Sequence, residues 1–161
     1  MKNILVTGGA GFIGSNFIEY LLNKEEASII NFDKLTYAGS LDNLKTVENH
    51  KNYLFIKGDI YDRLHLERVF SEHHITDVIH FAAESHVDNS IARPDAFMQT
   101  NIMGTFNLLD VAKNYWMDSP GIYKEQYQNS RFHHVSTDEV YGDLLKGRSD
   151  EHFPYNPSSP Y

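Results

Sequence analysis

The chain has 161 residues, of which 41% are hydrophobic, and its formal net charge at pH 7 is -8, so it is long enough for one domain with a hydrophobic core. The acidic balance, without any basic run, argues against nucleic acid or an anionic membrane as the main partner. The sequence contains no cysteine, which excludes disulfides and thiolate metal sites, and its nine histidines lack zinc spacing, so we expect no bound metal.

Five short apolar runs alternate with longer helical patterns. The predicted strands are Ile4 to Thr7, Ser28 to Phe32, Tyr53 to Ile56, Val78 to Phe81 and Phe132 to Val135. The predicted helices are Phe12 to Asn23, Leu64 to Glu72 and Pro94 to about Trp116, with a candidate short helix from Leu41 to Glu48. Near-continuous hydrophobicity in each strand indicates burial on both faces. The pattern predicts an α/β fold: a Rossmann-like, doubly wound parallel sheet with helices on both faces.

Two segments have no clear period. Met117 to Ser130 is predicted as a loop or a frayed extension of the long helix, and Gly142 to Pro160 as a long loop rich in proline. No apolar stretch reaches the length of a membrane span, and the amino terminus runs from Lys2 into a strand pattern without a signal-peptide cleavage site. We therefore expect a cytoplasmic protein.

Three glycines directly follow the first strand and open the first helix. Gly8, Gly11 and Gly14 form the pattern GxxGxxG, whose glycines let backbone amides close on a pyrophosphate. The amides of Phe12 and Ile13 would lie at the positive end of the helix, where a phosphate binds. The alternative is that these glycines serve only a tight turn.

Asp33 follows the second predicted strand, where an acidic side chain binds the adenosine ribose hydroxyls and repels a 2′-phosphate. NAD is therefore favoured over NADP, although the neighbouring Lys34 keeps NADP open. Gly58 to Ile60 would bracket the adenine, and Phe81 to Ala83 would give small side chains near the cofactor backbone. All of these positions fall at the carboxyl edge of the sheet, where open α/β sheets bind ligands.

The stretch Ser136 to Gly142 follows the fifth strand and contains two adjacent carboxylates, Asp138 and Glu139. One interpretation is a capping box, in which Ser136 and Glu139 satisfy free amides at a helix start. The other is an acid and a base beside the same cleft. Because adjacent strand residues face opposite ways, both carboxylates reach one substrate only if the chain leaves strand geometry at Asp138.

The chain also carries Asp33 to Gly39, Ala82 to Asp88, Thr100-Asn101 and Pro157 to Tyr161. With these motifs it resembles, over its whole length, the extended short-chain dehydrogenases/reductases, and among them the sugar-nucleotide 4,6-dehydratases. The resemblance implies NAD as cofactor, with Asp33, Lys34, Leu35 and Thr36 at the ribose, Asp59 and Ile60 at the adenine, and Phe81, Ala82, Ala83, Ser85, Thr100 and Tyr161 along the rest of the dinucleotide. It implies Ser85 and Thr137 as substrate-binding residues, and Thr137, Asp138, Glu139 and Tyr161 as catalytic residues.

The resemblance further implies the reaction. Tyr161 would take the proton of the sugar 4-hydroxyl as hydride leaves carbon 4, Glu139 would remove the carbon 5 proton, and Asp138 would protonate the departing 6-hydroxyl. The implied substrate is dTDP-glucose, the product a 4-keto-6-deoxy sugar nucleotide for cell-surface polysaccharide synthesis. Tyr161 would belong to a YxxxK motif whose lysine falls beyond the last residue. The chain is thus expected to be the amino-terminal NAD-binding domain, residues 1–161, without the substrate-binding lobe and without turnover alone.

The alternatives that the residues leave open are a dehydratase or epimerase acting on another sugar nucleotide, such as GDP-mannose or UDP-N-acetylglucosamine, and a non-catalytic NAD-binding module. The helix from Pro94 to Trp116 resembles one that family members pair across a dimer interface. A homodimer is therefore expected for the intact enzyme, whereas it is doubtful for these 161 residues.

Overall fold

A five-stranded parallel sheet organises the structure, a computed structural model that describes residues 2–24 and 27–161. Its strands are β1 (Lys2–Thr7), β2 (Ala27–Asp33), β3 (Tyr53–Lys57), β4 (Asp77–His80) and β7 (Arg131–His134), in the order β3-β2-β1-β4-β7. From β1 the chain first adds β2 and β3 on one side of the sheet and then adds β4 and β7 on the other side. The sheet therefore has a topological switch point between β1 and β4. The predicted doubly wound parallel sheet is confirmed.

The helices are α1 (Phe12–Leu22), α2 (Arg63–His73), α3 (Val87–Ala92), α4 (Pro94–Phe97) and α5 (Thr105–Trp116). A π-helix, Met98–Gly104, joins α4 to α5, so the predicted long helix is continuous but has a wide turn in it. Within the predicted segment 41–48, a 3₁₀ helix spans only Leu41–Leu44. The short α3 was not predicted.

The strands alternate their side chains between two cores. Leu5, Phe32 and Val78 pack on one face against α2 and α5, while Val6 and Ile29 pack on the other against α1. Because β1 lies in the middle, Leu5 and Val6 are fully buried. The central strands therefore read as continuous apolar runs, as expected for a covered parallel sheet.

Two predictions about the later part of the chain are wrong. β7 was expected to be buried on both faces, but it lies at the sheet edge and only Phe132 among its four residues is not exposed. Met117 to Ser130 is not a loop alone, because β5 (Met117–Ser119) and β6 (Ile122–Tyr123) pair as a small antiparallel hairpin. Lys124 fixes the hairpin to α5 by donating to the carbonyl of Tyr115 at 2.8 Å.

Among the helices in residues 2–24 and 27–161, we find none with both the length and the apolar content needed to cross a membrane.

Candidate active site

A cavity of about 400 Å³ opens at the carboxyl edge of the sheet, over the switch point. This volume lies within the range of cofactor and ligand sites. Its wall is built from segments that follow all five strands of the sheet: Gly8 to Gly14 after β1, Asp33 to Gly39 after β2, Gly58 to Ile60 after β3, Phe81 to Ser85 after β4, and Val135 with Ser136 after β7. The expected convergence of strand ends on one cleft is confirmed.

The glycine turn after β1 is held by close backbone packing. Gly8 has a positive φ of 72°, and a Cβ there would lie 2.6 Å from the amide nitrogen of Ala82. A Cβ on Gly14 would lie 2.4 Å from the carbonyl oxygen of Gly8. Side chains are therefore excluded at both positions, and the start of α1 comes directly against the turn. Phe12 and Ile13, the first residues of α1, are exposed at the cavity.

Asp33 is buried beneath the cavity wall, and its carboxylate is fixed by the backbone. Its Oδ2 accepts from the amide of Ala10 at 2.9 Å and its Oδ1 from the amide of Leu35 at 2.7 Å. The second bond holds Leu35 at a positive φ of 56°, where a branched side chain is strained. Leu35 does not line the cavity, unlike Lys34 and Thr36, so its position in the structure is that of a turn residue.

The segment after β4 is fixed by a side chain from the π-helix. The side-chain amide of Asn101 accepts a hydrogen bond from the amide of Glu84 at 2.8 Å and donates one to the carbonyl of Glu84 at 2.9 Å. It thus pairs with both backbone groups of Glu84, as the backbone of a neighbouring strand would. The preceding residue, Thr100, lines the cavity. Wide π turns often occur at functional sites, and here the turn brings Thr100 and Asn101 to the switch point together.

A buried histidine connects three elements below the cavity. His80 Nδ1 lies 2.6 Å from Thr7 Oγ1, and His80 Nε2 lies 3.0 Å from Thr105 Oγ1. Burial, with a smaller contribution from His134, lowers the pKa of His80 to about 3. A neutral imidazole therefore joins the ends of β1 and β4 to the first turn of α5. Sequence reasoning missed this residue, because a histidine inside an apolar run has no motif.

This histidine makes stability depend on pH. Its folded pKa of about 3 is below the unfolded value of about 6.5, so the unfolded chain takes up the proton first as pH falls. We expect the free energy of unfolding to decrease by about 1.4 kcal/mol per pH unit from this group between pH 6 and 4.5. The neighbouring His134, whose pKa is also lowered by burial, adds to the wild-type slope.

Urea denaturation at a series of pH values would measure this slope. In the variant His80→Gln, which keeps a donor and an acceptor, we expect the slope in that window to become flatter by about 1.4 kcal/mol per pH unit. His80→Asn would serve if the longer amide does not fit. An unchanged slope in the folded variant would show that His80 is not the buried neutral group.

The chain leaves strand geometry after β7, as the two-carboxylate interpretation required. Asp138–Tyr141 form a 3₁₀ helix, in which successive side chains are about 120° apart rather than opposite. The predicted capping box is wrong: the N-cap is Thr137, whose Oγ1 accepts from the amide of Glu139 at 3.2 Å. Ser136 instead lines the cavity.

Two of the four predicted catalytic residues, Glu139 and Tyr161, line cavities in the structure. Tyr161 lines the main cavity and also a smaller one of about 260 Å³, which Glu139 lines too. Asp138 is exposed and, with Thr137, borders neither cavity. Tyr161 packs edge-on against Phe97 of α4, with 6.0 Å between ring centroids. Tyrosine and glutamate thus share one surface at the junction of the two cavities.

Most of the predicted cofactor residues come together. The main cavity is lined by Gly8, Gly11, Phe12, Ile13, Gly14, Asp33, Lys34, Thr36, Asp59, Ile60, Phe81, Ala82, Ala83, Ser85, Thr100 and Tyr161. It is also lined by Gly58 and Glu84, which lie within predicted segments, and by residues that were not predicted: Phe32, Ala38, Gly39, Val135 and Ser136. These residues lie next to predicted motifs in the sequence, and that proximity was the signal by which they could have been found. A glycine turn too tight for side chains, a fixed aspartate and a strip of small residues fit a dinucleotide.

Comparison with known proteins gives consistent matches. The family model described as GDP-mannose 4,6 dehydratase matches residues 5–161. A dTDP-glucose 4,6-dehydratase from Neisseria meningitidis serogroup B is 52% identical over 100% of this chain and 45% of its own length. The chain thus spans somewhat less than half the length of the curated relatives it matches.

Solved structures share the fold. A dTDP-glucose 4,6-dehydratase from Bacillus anthracis in complex with NAD is 46% identical, with a TM-score of 0.81 over 100% of this chain and 46% of that one. A UDP-glucose 4-epimerase from Thermus thermophilus in complex with NAD is 32% identical, with a TM-score of 0.81 over 99% of this chain and 46% of that one.

Proposed function

The chain belongs to the GDP-mannose 4,6 dehydratase family, and on that premise we propose that residues 1–161 form the NAD-binding Rossmann domain of an enzyme that dehydrates dTDP-glucose. The observation that supports this most is the continuous cavity running from Asp33 and Asp59 to Tyr161, with the Asp138–Tyr141 helix beside its tyrosine end. The 52% identity to a dTDP-glucose 4,6-dehydratase supports the choice of substrate.

The proposed reaction assigns one role to each group. The residues that line the main cavity would hold NAD, which would supply a hydride acceptor for sugar carbon 4 and a hydride donor for carbon 6. Tyr161 accepts the proton of the 4-hydroxyl, and the resulting ketone acidifies carbon 5. Glu139 then removes the carbon 5 proton and later restores it. Asp138 donates a proton to the departing 6-hydroxyl, which requires that bound substrate or further chain shields this exposed side chain from water.

The proposal assigns Ser85 and Thr137 to the substrate. Ser85 lines the main cavity together with Tyr161. Thr137 holds the amide of Glu139, so a hydroxyl that also contacts the sugar would couple substrate position to the base. We further propose a cytosolic location, which fractionation of the source cells would test.

The whole protein is the material for the functional test. We expect calorimetry to detect NAD binding and mass spectrometry to show dTDP-glucose losing one water. GDP-mannose and UDP-glucose serve as competing substrates, and an epimerised sugar that keeps its 6-hydroxyl would favour the epimerase instead, as the Thermus thermophilus neighbour suggests. NAD binding without any sugar conversion would support a non-catalytic module. For the 161 residues alone we propose no turnover, and measurable conversion by them would refute that part.

A homodimer of the whole protein is a further part of the proposal. One face of the π-helix and α5 exposes a row of apolar side chains: Met98, Ile102, Met103, Phe106 and Leu109. An exposed apolar row of this kind is typical of an interaction surface. We expect sedimentation to give a dimer for the whole protein and a monomer for Phe106→Glu.

A further inference from the structure

Lys34 lies at the ribose end of the cavity and is held by an ion pair. Its Nζ lies 2.7 Å from Asp59 Oδ2, and both residues line the cavity. The pair joins the ends of two adjacent strands, because Asp33 faces Lys57 in the register of β2 and β3. Among the described residues of the cavity wall, Lys34 is the only lysine or arginine, whereas Asp33, Asp59 and Glu84 are acidic.

Neither carboxylate at this end is free to move away. Asp33 is tied to two backbone amides and is 8% exposed. Asp59 accepts from the amide of Tyr61 at 2.9 Å through its Oδ1, so its other oxygen is kept towards Lys34. The lysine side chain is more exposed than the aspartate, so the ion pair is weak in itself but it sets where the amine rests.

We propose that Asp59 is a specificity-determining residue that prevents Lys34 from serving as a 2′-phosphate site, so that the cavity selects NAD over NADP. This inference rests on the proposed function, since it assumes that the cavity binds a dinucleotide. NADP carries a phosphate on the adenosine 2′-hydroxyl. Beside Asp33 that phosphate meets a fixed negative charge, and the neighbouring cation Lys34 is already paired with a second carboxylate, Asp59.

The physical consequence is that lysine next to the ribose aspartate does not confer NADP binding here. Removing the Asp59 charge leaves Lys34 as an unpaired cation within reach of the ribose and removes one repulsive charge. Both changes should strengthen the binding of NADP through its 2′-phosphate. They should hardly affect the binding of the uncharged 2′-hydroxyl of NAD. The gain should also shrink at high salt, because the groups are partly exposed.

The test is a double-mutant cycle on the whole protein, with NAD and NADP dissociation constants measured by calorimetry. In Asp59→Asn, which keeps the acceptor for Tyr61, we expect the ratio of the NADP to the NAD dissociation constant to fall about tenfold. Lys34→Gln alone should change this ratio less than about twofold, and in the Asp59→Asn background it should cancel the gain. Glu84→Gln is the matched control, because it removes a cavity carboxylate that does not pair with Lys34.

The outcomes separate this inference from the proposed function. An unchanged ratio in Asp59→Asn, or a gain that survives Lys34→Gln, would overturn the inference while NAD binding and sugar turnover stand. A gain of equal size in Glu84→Gln would overturn it as well, because general charge would then suffice. If the wild type binds NAD but converts no sugar, while Asp59→Asn still shows the tenfold shift, the inference stands and the proposed activity is refuted. Absence of any NAD binding would refute both.

Discussion

Alanine in place of Gly14 is expected to lower the free energy of unfolding by about 3 kcal/mol and to abolish NAD binding. The new Cβ would lie 2.4 Å from the carbonyl oxygen of Gly8 and 2.7 Å from the Cα of Gly9. Both are backbone atoms of a turn that cannot rotate out of the way. Alanine gains about 1 kcal/mol of helix propensity over glycine, which is too little to offset forcing α1 away from the turn.

Gly11→Ala is the matched control, since its Cβ would meet the Gly8 carbonyl oxygen at 3.3 Å and nothing closer. We expect its stability to stay within about 1 kcal/mol of the wild type. NAD affinity should still fall, because this glycine faces the cavity, where the backbone must approach a pyrophosphate. Chemical denaturation and calorimetry on both variants separate the two effects. Equal stability of the two variants would contradict the packing argument.

The sequence was sufficient for the central strands and for the cleft, because buried parallel strands carry a strong and continuous apolar signal. It was insufficient where structure depends on a distant neighbour. Three of the four residues of β7 are exposed, although its predicted segment Phe132 to Val135 begins and ends with apolar residues, because burial depends on which strands lie alongside. The hairpin of β5 and β6 is too short for its alternation to be recognised.

The site shows the same division. Glycines and Asp33 were predicted because their spacing along the chain reports a local turn. The assignment of the cap to Ser136 was wrong because either Ser136 or Thr137 fits the residue pattern, and only the backbone decides which hydroxyl faces the amide of Glu139. Asn101 bonds to Glu84, seventeen positions away in the chain, and no local pattern reports such a pair.

Replacing the two carboxylates of the 3₁₀ helix is expected to slow sugar dehydration by the whole protein by about 10²- to 10⁴-fold in each case, at different steps. In Glu139→Gln the amide cannot accept a proton from carbon 5, so both product and exchange of the carbon 5 hydrogen with deuterated water should be lost. In Asp138→Asn the base remains, so exchange should continue while water is not eliminated. Proton NMR of the sugar and mass spectrometry of the product measure the two steps separately.

Asp143→Asn provides the control, because Asp143 is exposed, follows the same 3₁₀ helix and lines neither cavity. It should keep its activity, since the same chemical change there removes a charge and no catalytic group. The proposed roles require the order of events to be oxidation, proton removal and then elimination, so Tyr161→Phe should block exchange as well as product. If Asp138→Asn instead stopped exchange as completely as Glu139→Gln, the two carboxylates would act on the same step, and the assignment of separate acid and base would be wrong.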